Sequence, residues 1–220
     1  RADWAPQSPT GWLIHDTLSA RIHPHNACLA LAAALRGRGG RIETNGPERG
    51  AVVHATGWQG LRELTEQFDQ PVGTGVKGQA ALLRFHAPDA PQLFADALHI
   101  VPHADGSVAI GSTSERDFSD PHSTDAQLDD VIARAIVAFP VLRDAPVMAH
   151  WAGVRPRAKS RAPVLGAYPG RPGHFIANGG FKIGFGMAPK IAEVMADLIL
   201  EGRCTIPDAF RVEACITDRA

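Results

Sequence analysis

The chain has 220 residues and a formal net charge of -1, with 45% hydrophobic and 20% charged residues, the balance of an ordinary soluble globular protein. It carries no basic or acidic block that would suit nucleic acid or a membrane surface, and no apolar run near the roughly 18 residues of a membrane-spanning helix. Cys28, Cys204 and Cys215 are far apart and make no CxxC, so neither a metal set nor a disulfide framework is expected, and a reduced cytoplasmic protein is the default.

In chain order, residues 24–38 (PHNACLALAAALRGR) show helical apolar spacing, with Pro24 near the start and Gly39-Gly40 as a stop. Residues 41–44 read as a short strand, 45–50 (NGPERG) as a turn, 51–55 (AVVHA) as a buried strand and 58–68 as a helix. Strands are expected at 75–85, 98–103 and 108–113, the last two joined by a turn through Ala104-Asp105-Gly106. Residues 124–139 form an amphipathic helix whose Asp125 and Asp129 suit its N-terminus. Strands at 147–157, 163–168 and 174–177 follow, and a last helix at 187–200 ends at Gly202, with Ile191, Val194 and Leu198 as its buried stripe. Helices and strands alternate without segregating, so the expected class is α+β in the mixed, two-lobed sense.

Three segments have the residue types for ligand chemistry. Residues 178–186 (NGGFKIGFG) place many glycines between a strand and a helix. Backbone N–H groups there can approach a ligand, and the following helix N-terminus favours an anionic or electron-rich atom. A glycine-rich turn ahead of a packed helix reads the same way from the residues alone. Residues 153–157 (GVRPR) hold Arg155 beside Pro156, where a planar guanidinium could face a carboxylate; Arg157, Arg161 and Arg171 read instead as surface ion-pairing groups. Residues 52–58 (VVHATGW) run from strand through a tight turn to helix, as nucleotide folds do and as many purely structural units also do.

In this order the chain resembles one family. IHPHNACLALAAALRGRGGRI, AVVHATGWQG, GVKGQ, HIVPHADGSVAIGSTSE, AGVRPRAKSRAPVLGAYP, NGGFKIGFGMAP and IPDAFRVE are similar to successive landmarks of the FAD-dependent D-amino-acid, glycine and sarcosine oxidases, from about Ile22 onward. The resemblance implies a remnant of a Rossmann-like FAD lobe at 1–70 and 150–220. It also implies a substrate lobe with a mostly antiparallel sheet flanked by helices at 71–149. Arg155 matches the arginine that holds the substrate carboxylate, and Lys182 falls where relatives carry a second cation. His99 stands where many glycine oxidases place a Tyr. Gly57 matches the turn facing the cofactor, and Gly180, Phe181, Lys182, Ile183, Gly184, Phe185 and Gly186 match the loop over the isoalloxazine ring. The implied reaction is hydride transfer from a small-molecule amine or amino acid to FAD, with no catalytic general base.

The chain departs from the pattern in several places. No GxGxxG follows an N-terminal strand, there is no initiator Met, and the polar, Pro-rich start reads as no secretion signal, so a fragment lacking the N-terminal FAD-binding segment is expected. FAD itself is then expected to be absent from these 220 residues alone. The single literal GxGxxG, residues 73–78 (GTGVKG), precedes a strand and not a helix, which argues against a phosphate loop. The stretch 43–50 is shorter than the strand pair that relatives use near the adenine. His86, His99 and His103 read as packing or surface residues and no metal is expected, while Trp151 reads as core. A flavin-free accessory module that keeps the substrate lobe, and a 2-hydroxy-acid dehydrogenase on the same scaffold, stand as alternatives.

Overall fold

In the computed structural model, which describes residues 4–6 and 8–216, each long helix or strand follows from a local pattern in the sequence. The described residues fall into two units. One lies within Arg1–Gly46, Gly78–Ser114 and Asp120–Gly153; the other lies within Pro47–Lys77, Glu115–Ser119 and Val154–Ala220.

In the first unit, β2 (Gly73–Arg84), β3 (Leu93–Ala95), β4 (Leu98–Pro102), β5 (Ser107–Gly111) and β6 (Val147–Ala158) form a five-stranded sheet in the order β3-β4-β5-β2-β6. The first residues of β2 and the last of β6 belong to the other unit. Period-2 alternation sets the register: Ile100 faces Ile110 and Ala81 faces Ile110 across antiparallel ladders. The β4–β5 turn forms because Gly106 takes a φ of +84° and Asp105 accepts from both the backbone N–H and the hydroxyl of Ser107. Helix α3 (Ala126–Ala138) lays Leu128, Val131 and Ala135, one helical stripe, into a core with Ala81, Leu83, Ile100, Ile110 and Phe139. Burying each large apolar side chain contributes about 1.5–3 kcal/mol. Helix α1 (Pro24–Gly37) starts at Pro24 as expected but buries no residue, leaving Leu29, Leu31 and Leu35 exposed.

In the second unit, β1 (Val52–His54) runs parallel to β8 (His174–Asn178), which runs antiparallel to β7 (Val164–Ala167), giving the order β1-β8-β7. Adjacent residues of β7 point to opposite faces. Val164 packs with Leu61 and Leu64 of α2 (Gly57–Phe68), whereas Leu165 packs with Val194 and Met195 of α4 (Gly184–Glu201). The small sheet is therefore covered by a helix on each face. Gly202, at φ +66°, stops α4, and a short α5 (Val212–Ile216) adds Val212 and Cys215 to the α2 side.

This is the mixed α/β arrangement that the alternation of elements predicts. Three local expectations are corrected, and two short elements are added. Residues 41–44 form no strand, since the segment is exposed and has nothing to pair with among the described residues. β3 and α5 are elements that the sequence reading passed over. Helix α4 begins at Gly184, not Met187, so two of the loop's glycines lie in its first turn. Trp151 is not core but 44% exposed, on a stretch of β6 where Val147 and Met148 are exposed as well. Among the described residues no helix is long and apolar enough to cross a membrane.

Candidate functional site

The second unit ties the three ligand-type segments together through a few polar contacts. Gly57, at φ +66°, opens α2 directly after β1. Its carbonyl accepts from Nδ2 of Asn178 at 2.8 Å, and Oδ1 of the same side chain accepts from the Gly179 N–H at 2.7 Å. Asn178 is buried, so both bonds lie out of water, and the turn after β1 is locked to the loop after β8. Asn178 had no role in the sequence reading beyond opening the glycine run.

The loop is held from its other side by β6. Gly180 makes an isolated antiparallel bridge to Arg157, and the Phe181 N–H donates to the Pro156 carbonyl at 3.1 Å. Space is tight within the turn: a Cβ on Gly180 would sit 2.9 Å from the Gly184 Cα, and Gly179 stands at φ +77°. Outside the turn it is open, because a Cβ on Gly184 or Gly186 would meet nothing within 4 Å. The Ile183 N–H closes the turn on the Gly180 carbonyl at 3.0 Å, and Ile183 is the N-cap of α4 without any side-chain cap. The first-turn N–H groups of an 18-residue helix thus have no capping side chain, next to glycines that leave access to them. Exposed Ile183 and Phe185 flank the opening with apolar surface, which suits a flat ring with an electron-rich edge.

Arg155 lies within β6, half-buried, and its Nη2 donates to the Lys77 carbonyl at 3.2 Å. Lys77 is bridged to Glu115 by a pair of 2.9 Å backbone hydrogen bonds. Their side chains pair as well, Nζ to Oε2 at 3.7 Å, with only 4% and 8% of each exposed. Burial pushes the Arg155 guanidinium below its ordinary range, and the Glu115 carboxylate pulls it back up. The three groups together carry one net positive charge, desolvated next to the loop that Pro156 anchors. Lys77 and Glu115 escaped the sequence reading as functional residues. The available signal was a Lys at an inward position of β2, on the same alternation as Gln79, Ala81 and Leu83.

The remaining expected residues are placed as follows. Lys182 is exposed, with Nζ 5.8 Å from the centre of the neighbouring Phe181 ring. His99 belongs to the other unit, on β4, exposed, with its ring 4.7 Å from that of Phe94. His103 is buried against His23, ring centres 4.2 Å apart, and burial and the charges of His23 and Arg21 hold it below the usual imidazole range, against an opposing pull from Asp105. Residues 73–78 (GTGVKG) form no phosphate loop, because they lie inside β2. Gly73 and Gly75 are glycines for packing: a Cβ would meet the Arg157 carbonyl at 2.7 Å or Val154 at 2.5 Å. Cys28, Cys204 and Cys215 are all free thiols, Cys215 buried and the others exposed.

Comparison with known proteins shows the family and the fold. Residues 2–198 match the family described as DAO, FAD dependent oxidoreductase. The chain is 32% identical to glycine oxidase of Pseudomonas putida over 149 residues, covering 67% of this chain and 40% of that protein. It is 33% identical to glycine oxidase of Pseudomonas aeruginosa over 158 residues, covering 71% and 43%. Among solved structures, glycine oxidase from Geobacillus kaustophilus superposes with a TM-score of 0.66 at 27% identity, covering 77% of this chain and 46% of that one. L-proline dehydrogenase from P. horikoshii shares the fold at a TM-score of 0.68 and 18% identity, over 86% and 57%. The chain thus spans about two-fifths of the length of the two Pseudomonas relatives. By its matched length and by its fold, this chain belongs to the family of FAD dependent oxidoreductases.

Proposed function

We propose that the chain supplies the flavin-facing loop and the carboxylate clamp of an enzyme that oxidises an amino acid or secondary amine. The observation that carries this is half-buried Arg155 placed against the buried Lys77–Glu115 pair. Arg155 directly precedes Pro156, whose carbonyl anchors the loop at Phe181, and a partly desolvated planar guanidinium at that place suits a carboxylate ligand.

The residues present fit FAD on its ring side. The open glycines and uncapped α4 N-terminus would face the electron-rich edge of the isoalloxazine, with Gly57 and residues 180–186 (GFKIGFG) as the surrounding backbone. Acceptance of the substrate hydride is the chemistry FAD supplies when bound. The chain's own residues bind and orient. Arg155 grips the carboxylate with a planar fork, Lys182 adds a second cation from the loop, and no side chain is needed as a general base. The unit that holds β7 and β8 serves as the flavin lobe. The unit that holds β4 and β5, where His99 is exposed, serves as the substrate lobe.

The test uses the complete gene product that contains this chain. Oxygen uptake is measured on glycine, sarcosine, D-amino acids and 2-hydroxy acids, with anaerobic flavin reduction followed by stopped flow. We expect turnover of at least one amino acid or N-methyl amino acid. Arg155→Ala is expected to raise KM about 100-fold or more, since a charge-assisted pair is worth about 1.5–3 kcal/mol per bond and 1.4 kcal/mol is tenfold. Turnover of 2-hydroxy acids alone, or an unchanged KM in Arg155→Ala, would overturn the assignment.

A further inference from the structure

Two histidines and a glutamate meet in the second unit, none of them among the residues given a role in the proposed function. We propose that Glu48, His54 and His174 form a binding site for a divalent transition-metal ion, with zinc the best match to the donors. The inference is independent of the flavin reading.

His54 ends β1, and His174 begins the parallel neighbour β8, where it pairs in register with Val52. Side chains two residues apart on a strand share a face, so the two imidazoles stand on one face of the sheet. Their rings lie 5.2 Å apart and nearly parallel, with Nε2 of His54 2.9 Å from Nδ1 of His174. A carboxylate oxygen of Glu48 completes a set in which every donor atom is within 4.8 Å of the others. Two metal–nitrogen bonds of about 2.0–2.1 Å meeting at roughly 90–110° hold their nitrogens about 2.9–3.4 Å apart, so the histidine pair already has the needed spacing.

The surroundings also suit an ion. Tyr168 packs edge-on against His54 at 5.0 Å, and its hydroxyl donates to Gln67 at 2.7 Å, which restrains the His54 ring. Glu48 and His54 line a cavity of about 410 Å³ that Glu63, Gln67 and Arg171 also reach, with space for water in the remaining coordination positions. The carboxylates of Glu48 and Glu63 outnumber the Arg171 guanidinium, whose carbon lies over the Tyr168 ring at 4.8 Å, so the cavity favours a cation. Two imidazoles and one carboxylate are a donor set that zinc accepts, with a position left open to water. Metal would take the two facing ring nitrogens, with the bridging hydrogen moving to the other nitrogen of its own ring, and would tie the loop carrying Glu48 to β1 and β8.

The test titrates the complete gene product, stripped with chelator, with zinc chloride by calorimetry and with cobalt(II) by visible absorption. We expect one ion bound per chain through this site, cobalt d–d bands of a low-coordinate nitrogen and oxygen set, and a melting temperature that rises with metal. His54→Gln and His174→Gln should each weaken binding by roughly 100-fold or more and abolish the bands, because losing a ligand exceeds the 10–100-fold cost of losing a supporting partner. Glu48→Gln, at an exposed position that carries no packing, should weaken binding about tenfold or more, and decides the matter if a histidine variant fails to fold. His122→Gln, an exposed histidine of the other unit, should change nothing. No stoichiometric binding, or binding that Glu48→Gln and the folded histidine variants leave intact, overturns the site.

Discussion

Glu115 is the residue on which the proposed carboxylate clamp depends electrostatically. Its carboxylate neutralises Lys77 directly and acts on Arg155 at a distance, in surroundings where little water reaches either partner. Glu115→Gln removes the only negative charge among the three groups and leaves two cations repelling each other in a desolvated site. Breaking one partner out of a buried pair costs about 3–5 kcal/mol, so the variant is expected to be destabilised by that order in urea unfolding. Adding Lys77→Met to Glu115→Gln should restore much of the loss, because an apolar residue of similar size avoids the desolvation cost altogether. If Glu115→Gln unfolds at the wild-type midpoint, the ion pair contributes nothing and the cluster is not the electrostatic unit described above. The place of Arg155 on a strand, beside Pro156, was legible in the sequence. Lys77 and Glu115 were not, because a Lys on β2 and a Glu outside any strand give no local pattern; only the fold brings them within 3.7 Å.

Among the elements, α3 shows how local signals and tertiary contacts combine. Asp125 caps it in the ordinary way, accepting from the Gln127 N–H at 3.0 Å. The same carboxylate also accepts from Nε2 of Gln79 at 2.9 Å, while Oε1 of Gln79 accepts from the Asp125 N–H at 2.8 Å. Gln79 is fully buried, so the helix start and β2 are joined by a reciprocal pair. Asp125→Ala is expected to cost about 2–4 kcal/mol in chemical denaturation, about 1 from the lost cap and about 1–3 from a buried amide deprived of a partner. Asp125→Asn should lose much less, since its amide oxygen can still accept; equal losses in the two variants would mean that the reciprocal pair is not what matters. The cap itself was readable from Asp125 ahead of an apolar periodicity, as were α2, α3 and most strands. The failures have separate physical causes. Residues 41–44 have strand-like side chains but no neighbour to pair with, and β3 is only three residues long, too short for alternation to stand out. The start of α4 was obscured because Gly184 and Gly186 read as loop, whereas their positions tolerate helix without any crowding of a side chain.

For the molecule as a whole, the two units have separate apolar cores, and the features that suit a flavin ring all fall in one of them. Those features are backbone contacts: the Gly57 turn, the loop that Asn178 and Pro156 hold in place, and the α4 N-terminus. On the proposed reading they face the ring and not the dinucleotide. Pyrophosphate binding in such folds draws on a strand–glycine turn–helix unit, whose amides and helix dipole meet the anionic charge. Among the described residues no GxGxxG joins a strand to a helix, and the one literal match lies inside β2. The affinity left for FAD is then that of an open ring platform alone, without the charge-matched contacts that contribute most per atom. We therefore expect the 220-residue chain, expressed by itself, to purify without stoichiometric FAD, and the complete gene product that contains it to purify with the cofactor. Absorbance across the flavin band, compared with protein concentration before and after desalting, measures this directly. A yellow preparation of the chain alone that keeps about one flavin per molecule would mean that the loop and turn suffice for binding, and that the pyrophosphate argument is wrong. A colourless complete product would remove the flavin reading itself, leaving the Arg155 cluster as an anion site without a redox partner.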